Sequence, residues 1–389
     1  MDVPAASIVI KSPEGEAAAR PRLGHVQELD GLRGVAILLV CLFHFSFVLT
    51  SSAEPLARLM QRTLWLGWCG VDLFFALSGF LITGILVDTQ DSPSYFRTFY
   101  LRRSLRIFPL YFAFLALMLG VLHHFVWRHK YPGITTWWYL VYLQNWKPNH
   151  TAGDLHVDHL WSLAVEEQFY FVWPLLMWRP GKRTALALTV VIAAIAMVLR
   201  IFFPALFTYE GMYRGTLTRM DALALGAFMA IGIRMPSVRA ALRHALPFVI
   251  PLAAALLGAA FYAQGNFQWD RPVQVYGAPA MAVLFASLVF WCAEFRPRVM
   301  RNRFLGSFAK YAYAIYVFHS PLNQILLPIL EPVWRNFSPA AGLSLRCVYI
   351  LAMSGVSWCL AWLSWRYFEG PINALKSRAP YASKPVSVT

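Results

Sequence analysis

Ten stretches of this chain are apolar for long enough to cross a lipid bilayer as a helix, and no other feature of the sequence constrains the fold as strongly. Each crossing takes about 20 mostly apolar helical residues, because a backbone group left unpaired in hydrocarbon costs several kcal/mol. The stretches run Gly34–Thr50, Leu66–Val87, Ile107–Phe125, Leu160–Trp178, Thr184–Phe203, Thr216–Ile233, Ala245–Ala263, Val275–Ala293, Gly306–Leu330 and Ser344–Trp365. Composition agrees: 58% of the 389 residues are apolar and 14% are charged, against roughly 45–50% and about 25% in soluble domains. A soluble enzyme is excluded on this ground, and a disordered chain by the 16% of aromatic residues. The five cysteines (Cys41, Cys69, Cys292, Cys347 and Cys359) all lie in apolar runs and read as reduced, buried small side chains, not as a disulfide scaffold.

An eleventh stretch, Ile134–Trp146, is apolar but short, and its Trp137, Trp138, Tyr139, Tyr142 and Trp146 suit the headgroup boundary. Charge decides whether it crosses. The net charge is +15, and with ten crossings and a cytoplasmic N-terminus 22 Lys and Arg fall on the inner side against 8 in the outer loops. An eleventh crossing would invert the later basic clusters, against the positive-inside rule. The expected fold is therefore an all-α integral membrane protein, a single bundle of about ten transmembrane helices with both termini cytoplasmic. Residues 1–26 read as a loose N-terminal tail, 27–371 as the membrane domain and 372–389 as a second tail. The basic excess is explained by orientation in the membrane, so no nucleic-acid partner is expected. No fixed-period repeat is visible, which weakens inverted-repeat transporter architectures.

Ionisable residues inside such spans are expensive and mark functional sites by default. Arg33 lies at the inner mouth of the first helix, and His44 is eleven residues on, roughly 16 Å along the axis at 1.5 Å per residue, near the midplane. Glu166 and Glu167 lie on the outer part of the fourth span, Arg219 and Asp221 near the outer end of the sixth, and His319 in the outer half of the ninth. Arginines thus crowd the inner mouth while histidines and carboxylates occupy the middle and outer half. Arg33, Arg102, Arg103 and Arg106 form a clamp suited to phosphates, which guanidinium groups bind bidentately. A neutral imidazole at mid-membrane can take a proton from an alcohol. The competing structural readings are topology-setting arginines, an interhelical hydrogen bond at His44, packing at Phe74 and Phe75, and close helix approach at Ser78 and Gly79. His156, Asp158 and His159 resemble a metal set without a fourth ligand, and no metal is expected.

Five segments together resemble the membrane acyltransferase-3 family, bacterial integral-membrane O-acyltransferases. ELDGLRGVAILLVCLFHF carries a basic-x10-His pattern in Arg33 and His44. VDLFFALSGFLI carries an FFxxSG element in Phe74, Phe75, Ser78 and Gly79, and RRSLRIFPLY an RxxR element in Arg103 and Arg106. HLWSLAVEEQFYFVWP, with Trp161, Glu166, Glu167 and Tyr170, and AYAIYVFHSP, with Tyr316 and His319, complete the set. The resemblance runs from about Leu29 to Pro371. It departs at Ala312, where many relatives carry serine. A fused extracytoplasmic SGNH hydrolase-like domain is not expected after the last helix, which makes relatives that depend on one poorer guides to mechanism.

The resemblance implies a multi-pass protein of the bacterial cytoplasmic (inner) membrane, with an acyl-CoA, most often acetyl-CoA, as cytoplasmic co-substrate and no bound cofactor. The implied acceptor is a hydroxyl of an extracytoplasmic or lipid-linked glycan, or of a similar secreted molecule. His44 is the expected general base, with Glu167 or Glu166 orienting it, or else the carrier of the acyl group. Arg33, Arg102, Arg103 and Arg106 would bind the donor. Ser78, Trp161, Tyr170, Arg219, Asp221, Tyr316 and His319 would line the substrate path or support it. The aromatic outer loop Val126–Asp158 is the expected place for glycan contact. A rival reading is a transporter or flippase for polysaccharide or small molecules, because buried ionisable residues also suit a permeation path.

Overall fold

The computed structural model describes residues 25–52, 54–127, 136–147, 156–264, 270–335 and 337–380, and every regular element among them is helical. Fourteen α-helices follow one another: α1 (Gln27–Phe45), α2 (Pro55–Trp65), α3 (Gly70–Asp88), α4 (Tyr95–Leu115), α5 (Trp137–Leu140), α6 (Trp161–Leu176), α7 (Lys182–Phe202), α8 (Tyr209–Arg214), α9 (Thr216–Gly232), α10 (Pro236–Gln264), α11 (Ala278–Phe295), α12 (Arg303–Arg335), α13 (Pro339–Ser364) and α14 (Gly370–Ala374). Short 3-10 and π turns extend several of them, so that each of the ten apolar stretches is helical.

By length and composition, seven helical runs suffice to cross a membrane: Gln27–Leu49, Pro55–Asp88, Tyr95–His124, Lys182–Phe202, Pro236–Tyr262, Val273–Phe295 and Ala340–Arg378. The other three expected crossings differ for visible reasons. α6 and α9 are short, at 16 and 17 residues, and the 33-residue α12 carries Lys310, His319, Asn323 and Gln324 among its apolar side chains. The described part of Ile134–Trp146 forms only the four-residue α5 and a three-residue 3-10 turn, too short to cross. Its Trp137 and Trp146 are exposed while Tyr139, Gln144 and Asn145 are buried, as an element lying along the bundle's end requires.

Helices α1, α3, α9, α11 and α12 pack together at the centre, with α7, α10 and α13 outside them. Apolar side chains on the outer helices point away from the protein: Phe248 is 77% exposed and Leu351 71%. Water would not tolerate that surface around a monomer, whereas hydrocarbon does. Inside, lipid-solvated helices gain little from the hydrophobic effect and associate through close packing of small residues. A Cβ on Gly79 would stand 2.0 Å from the Leu223 carbonyl oxygen, and one on Gly226 2.1 Å from that of Ala76. The two glycines thus let α3 and α9 touch backbone to backbone, as expected for Gly79.

The end of the chain departs from expectation. Residues 1–24 of the N-terminal tail lie outside the described residues, but Ile372 to Pro380 of the second tail are not loose. α14 and a following 3-10 turn, Leu375–Arg378, pack on α4, with Arg102 donating to the Ala379 carbonyl at 3.2 Å and Thr98 to that of Pro380 at 3.4 Å. Residues 128–135 and 148–155 of the outer loop Val126–Asp158 lie outside the described residues.

Candidate active site

His44 sits where α1 ends, and a helix end inside a membrane leaves carbonyls that other groups must satisfy. The Ser46 hydroxyl donates to the Phe43 carbonyl at 2.7 Å, Asn323 Nδ2 to that of His44 at 3.0 Å and Arg346 Nε to that of Val48 at 3.1 Å. Tyr349 in turn holds Asn323 Oδ1 at 2.8 Å. The helix end is therefore anchored from α12 and α13, and so is the imidazole it carries.

The ring itself is oriented by a second histidine. His44 Nδ1 lies 2.9 Å from the Val40 carbonyl oxygen and 3.2 Å from His319 Nε2. His319 Nδ1 lies 2.7 Å from the Tyr316 carbonyl oxygen. Each carbonyl accepts from the nitrogen facing it, so both rings carry the proton on Nδ1. His319 Nε2 is then an acceptor for the His44 N–H, and His44 Nε2 keeps its lone pair. A third imidazole joins them: the His159 ring centroid is 5.4 Å from that of His319, and His159 Nε2 lies 3.1 Å from the Val317 carbonyl oxygen. His44, His159, Trp161 and the ion-paired Asp158 and Arg214 line a cavity of 130 Å³. Among the described residues no cluster of His, Cys, Asp and Glu could hold a metal ion.

Neither glutamate hydrogen-bonds to His44. The expected Glu167 or Glu166 partner is replaced by His319, because α6 turns its carboxylates elsewhere. Ser78 donates to Glu166 Oε1 at 2.7 Å, and the Tyr170 hydroxyl lies 3.0 Å from Ser78 Oγ and 3.2 Å from Glu166 Oε2. Adjacent residues on a helix point some 100° apart; Glu167 accordingly faces away from this group, and its Oε1 is buried without a hydrogen bond.

Ser78, Glu166 and Tyr170 line a second, larger cavity of 470 Å³ together with Arg33, Arg103 and Arg106. The Arg103 guanidinium lies over the Tyr170 ring at 5.4 Å from its centroid, and Arg33 is 3.7 Å from Asp30. A third pocket of 310 Å³, lined by Arg102, Arg103, Arg106 and Lys376, shares Ile85, Arg103 and Arg106 with it. Tyr316 borders both the 470 Å³ and the 130 Å³ cavities. Its hydroxyl donates to the His159 carbonyl, and Ser162 donates to it at 2.5 Å. The four expected arginines, Ser78, Glu166, Tyr170, Trp161, Tyr316 and the two histidines thus lie along one path, arginines at one end and imidazoles at the other.

Arg219 and Asp221 do not face that path's open volume. Arg219 is buried against Asp72 at 2.6 Å, and Asp221 is paired with buried Arg200. Four polar residues at the site escaped the sequence reading as contributors: Ser162, His159, Asn323 and Arg346. Asn323 had a signal, since it follows His319 by one helical turn on α12 and shares its face. Ser162 and His159 lie within the HLWSLAVEEQFYFVWP segment, whereas Arg346 had no signal, because only folding brings α13 to its partner.

Known proteins give the arrangement a family. Residues 26–363 match the profile of the acyltransferase domain. A candidate peptidoglycan O-acetyltransferase of Bacillus subtilis is 26% identical over 382 residues, covering 90% of this chain and 55% of that protein. The peptidoglycan O-acetyltransferase of Listeria monocytogenes is 23% identical over 376 residues, covering 90% and 56%. An O-acetyltransferase of Staphylococcus aureus is 26% identical over 377 residues, covering 89% and 57%. This chain therefore spans little more than half the length of these relatives. No solved structure matches it significantly. With its five motifs assembled along one path through a helical bundle and the profile matched over most of its length, the chain belongs to the acyltransferase-3 family.

Proposed function

We propose that this chain is an integral-membrane O-acyltransferase that moves an acyl group, in the first instance acetyl, from cytoplasmic acyl-CoA to a hydroxyl of an extracytoplasmic or lipid-linked glycan. It would do so in the cytoplasmic membrane of a bacterium, with ten crossings and both termini inside. The observation that carries the reading is the run of three adjoining cavities, from the pocket of Arg102, Arg103 and Arg106 to the chamber of His44. Phosphates of the donor would rest on guanidinium groups, which stay charged and offer paired donors. The pantetheine arm would extend past Arg33, Ser78 and Glu166 and bring the thioester toward Tyr316. On the far side of Tyr316, His44 Nε2 would take the proton of the acceptor hydroxyl as its oxygen attacks the thioester carbonyl. The ester bond forms, the C–S bond breaks, and the CoA thiolate recovers a proton. The names of the relatives support a glycan acceptor and an acetyl group.

The test is transfer of label from acetyl-CoA to a glycan acceptor by the purified chain in proteoliposomes. We expect turnover that His44→Ala abolishes, while the variant still elutes as a folded species in detergent. Full activity in that variant would remove His44 from the chemistry. Accumulation of unmodified glycan inside the vesicles with no transfer would instead identify a transporter.

A further inference from the structure

The 310 Å³ pocket at the arginine end has a wall that comes from the far end of the chain. After α13, a π turn from Trp365 to Glu369 and then α14 redirect the backbone onto α4. The strap so formed is held by the bonds from Arg102 and Thr98 to the Ala379 and Pro380 carbonyls. It brings Lys376 into the pocket opposite Arg102, Arg103 and Arg106. Four cations share this lining, and among the described residues no carboxylate does. Lys376 Nζ donates only to a neutral group, Asn373 Oδ1, among its described hydrogen bonds. The strap's own carboxylate, Glu369, is buried and accepts from the Ser364 hydroxyl at 2.8 Å.

Like charges gathered this closely repel one another, and a ligand carrying several negative charges relieves that repulsion. The pocket shares Ile85, Arg103 and Arg106 with the 470 Å³ cavity, whose lining combines Ser78, Glu166 and Tyr170 with the apolar Phe74, Phe75 and Leu81. A ligand seated here would therefore have a polyanionic head and an arm that carries both polar groups, to meet Ser78, Glu166 and Tyr170, and short apolar stretches. That chemistry fits a nucleotide with an amide-bearing tail better than a phospholipid, whose arms are hydrocarbon. The strap lies beyond the residues 26–363 matched by the family profile.

We propose that the C-terminal strap completes the donor site and that Lys376 binds a phosphate at the nucleotide end of the acyl-CoA. This rests on the acyl-CoA reading above. The experiment is calorimetric titration of the full chain in nanodiscs with CoA and with pantetheine, which lacks the nucleotide and its phosphates. Lys376→Ala is expected to weaken CoA binding about tenfold, the scale of one charged hydrogen bond. Lys376→Arg should restore it to within about threefold, and pantetheine binding should not change. Lys376→Gln serves as a second neutral variant, and matching thermal midpoints establish that all are folded. If the unaltered chain binds no CoA, the donor reading falls and this one with it. If it binds CoA and both neutral variants bind it equally well, the strap has no part in the site although the donor reading stands. If the variants lose co-purifying phosphatidylglycerol but keep CoA affinity, the pocket is a lipid headgroup site and the proposal is overturned.

Discussion

At the scale of residues, the proposed chemistry turns on which nitrogen of His44 would face the acceptor. The Val40 carbonyl and His319 both engage Nδ1, and that leaves Nε2 as the nitrogen available to act as the proposed base. A fixed tautomer in a fixed orientation is what an orienting hydrogen bond supplies to a catalytic imidazole. In the proposed mechanism His319 is thus a positioning residue. Replacing it by Ala should lower kcat by roughly 10–100-fold, the usual effect of removing such a partner, with KM for the donor little changed. His319→Gln, which retains an amide oxygen able to accept from His44, should recover part of the loss. Steady-state kinetics on the three proteins check this, and equal kcat values would show that His44 is held by its own helix alone. Buried pairs such as Arg219 with Asp72 act differently: each neutralises a charge that hydrocarbon cannot solvate, and losing one partner leaves the other stranded.

At the scale of elements, close approach of helices places the motifs. Gly79 seats α3 against the backbone of α9, and the neighbouring Ser78 reaches Glu166 on α6, which also packs on α3. Gly79→Ala would drive a methyl group into the Leu223 carbonyl, so the helices must separate. We expect a thermal midpoint in detergent lower by several degrees and a clear loss of acyl transfer, from about 1–3 kcal/mol of strain. Gly258→Ala, at a position with nothing within 4 Å of the added carbon, is the control and should leave both unchanged. Equal midpoints for the two variants would mean that the α3–α9 contact yields freely. The C-terminal strap shows the same logic at an end of the chain: its position depends on α4 presenting Thr98 and Arg102 toward it.

At the scale of the whole molecule, arginines line one end of the bundle's cavities and histidines the other, and in the proposed function the first would receive the donor and the second the acceptor. The assignment of sides is testable by itself. Green fluorescent protein fused behind Pro380 should fluoresce and alkaline phosphatase fused there should be inactive, as for a cytoplasmic end; the reverse result would overturn ten crossings from a cytoplasmic N-terminus. Much of this was legible in the linear chain. Apolar length marks helices because a bilayer permits few alternatives, and the run of Arg33, Arg102, Arg103 and Arg106 together with His44 and His319 stands out because charge in hydrocarbon is costly. Spacing along α1 also separates Arg33 from His44 by a definite distance, since a helix has a fixed rise.

Other features depend on partners distant in sequence. The sequence marked Glu166 and Glu167 equally, and only the docking of α3 against α6 aimed one of them at Ser78 and left the other outside that network. The pairing of His44 with His319 joins residues 275 positions apart, and the strap joins Arg102 to Ala379 across 277. Local pattern records which residues cannot face lipid, because solvation is a property of each side chain. Which of them meet is a property of helix packing, set by shape at the contacts, and for that the folded bundle was required.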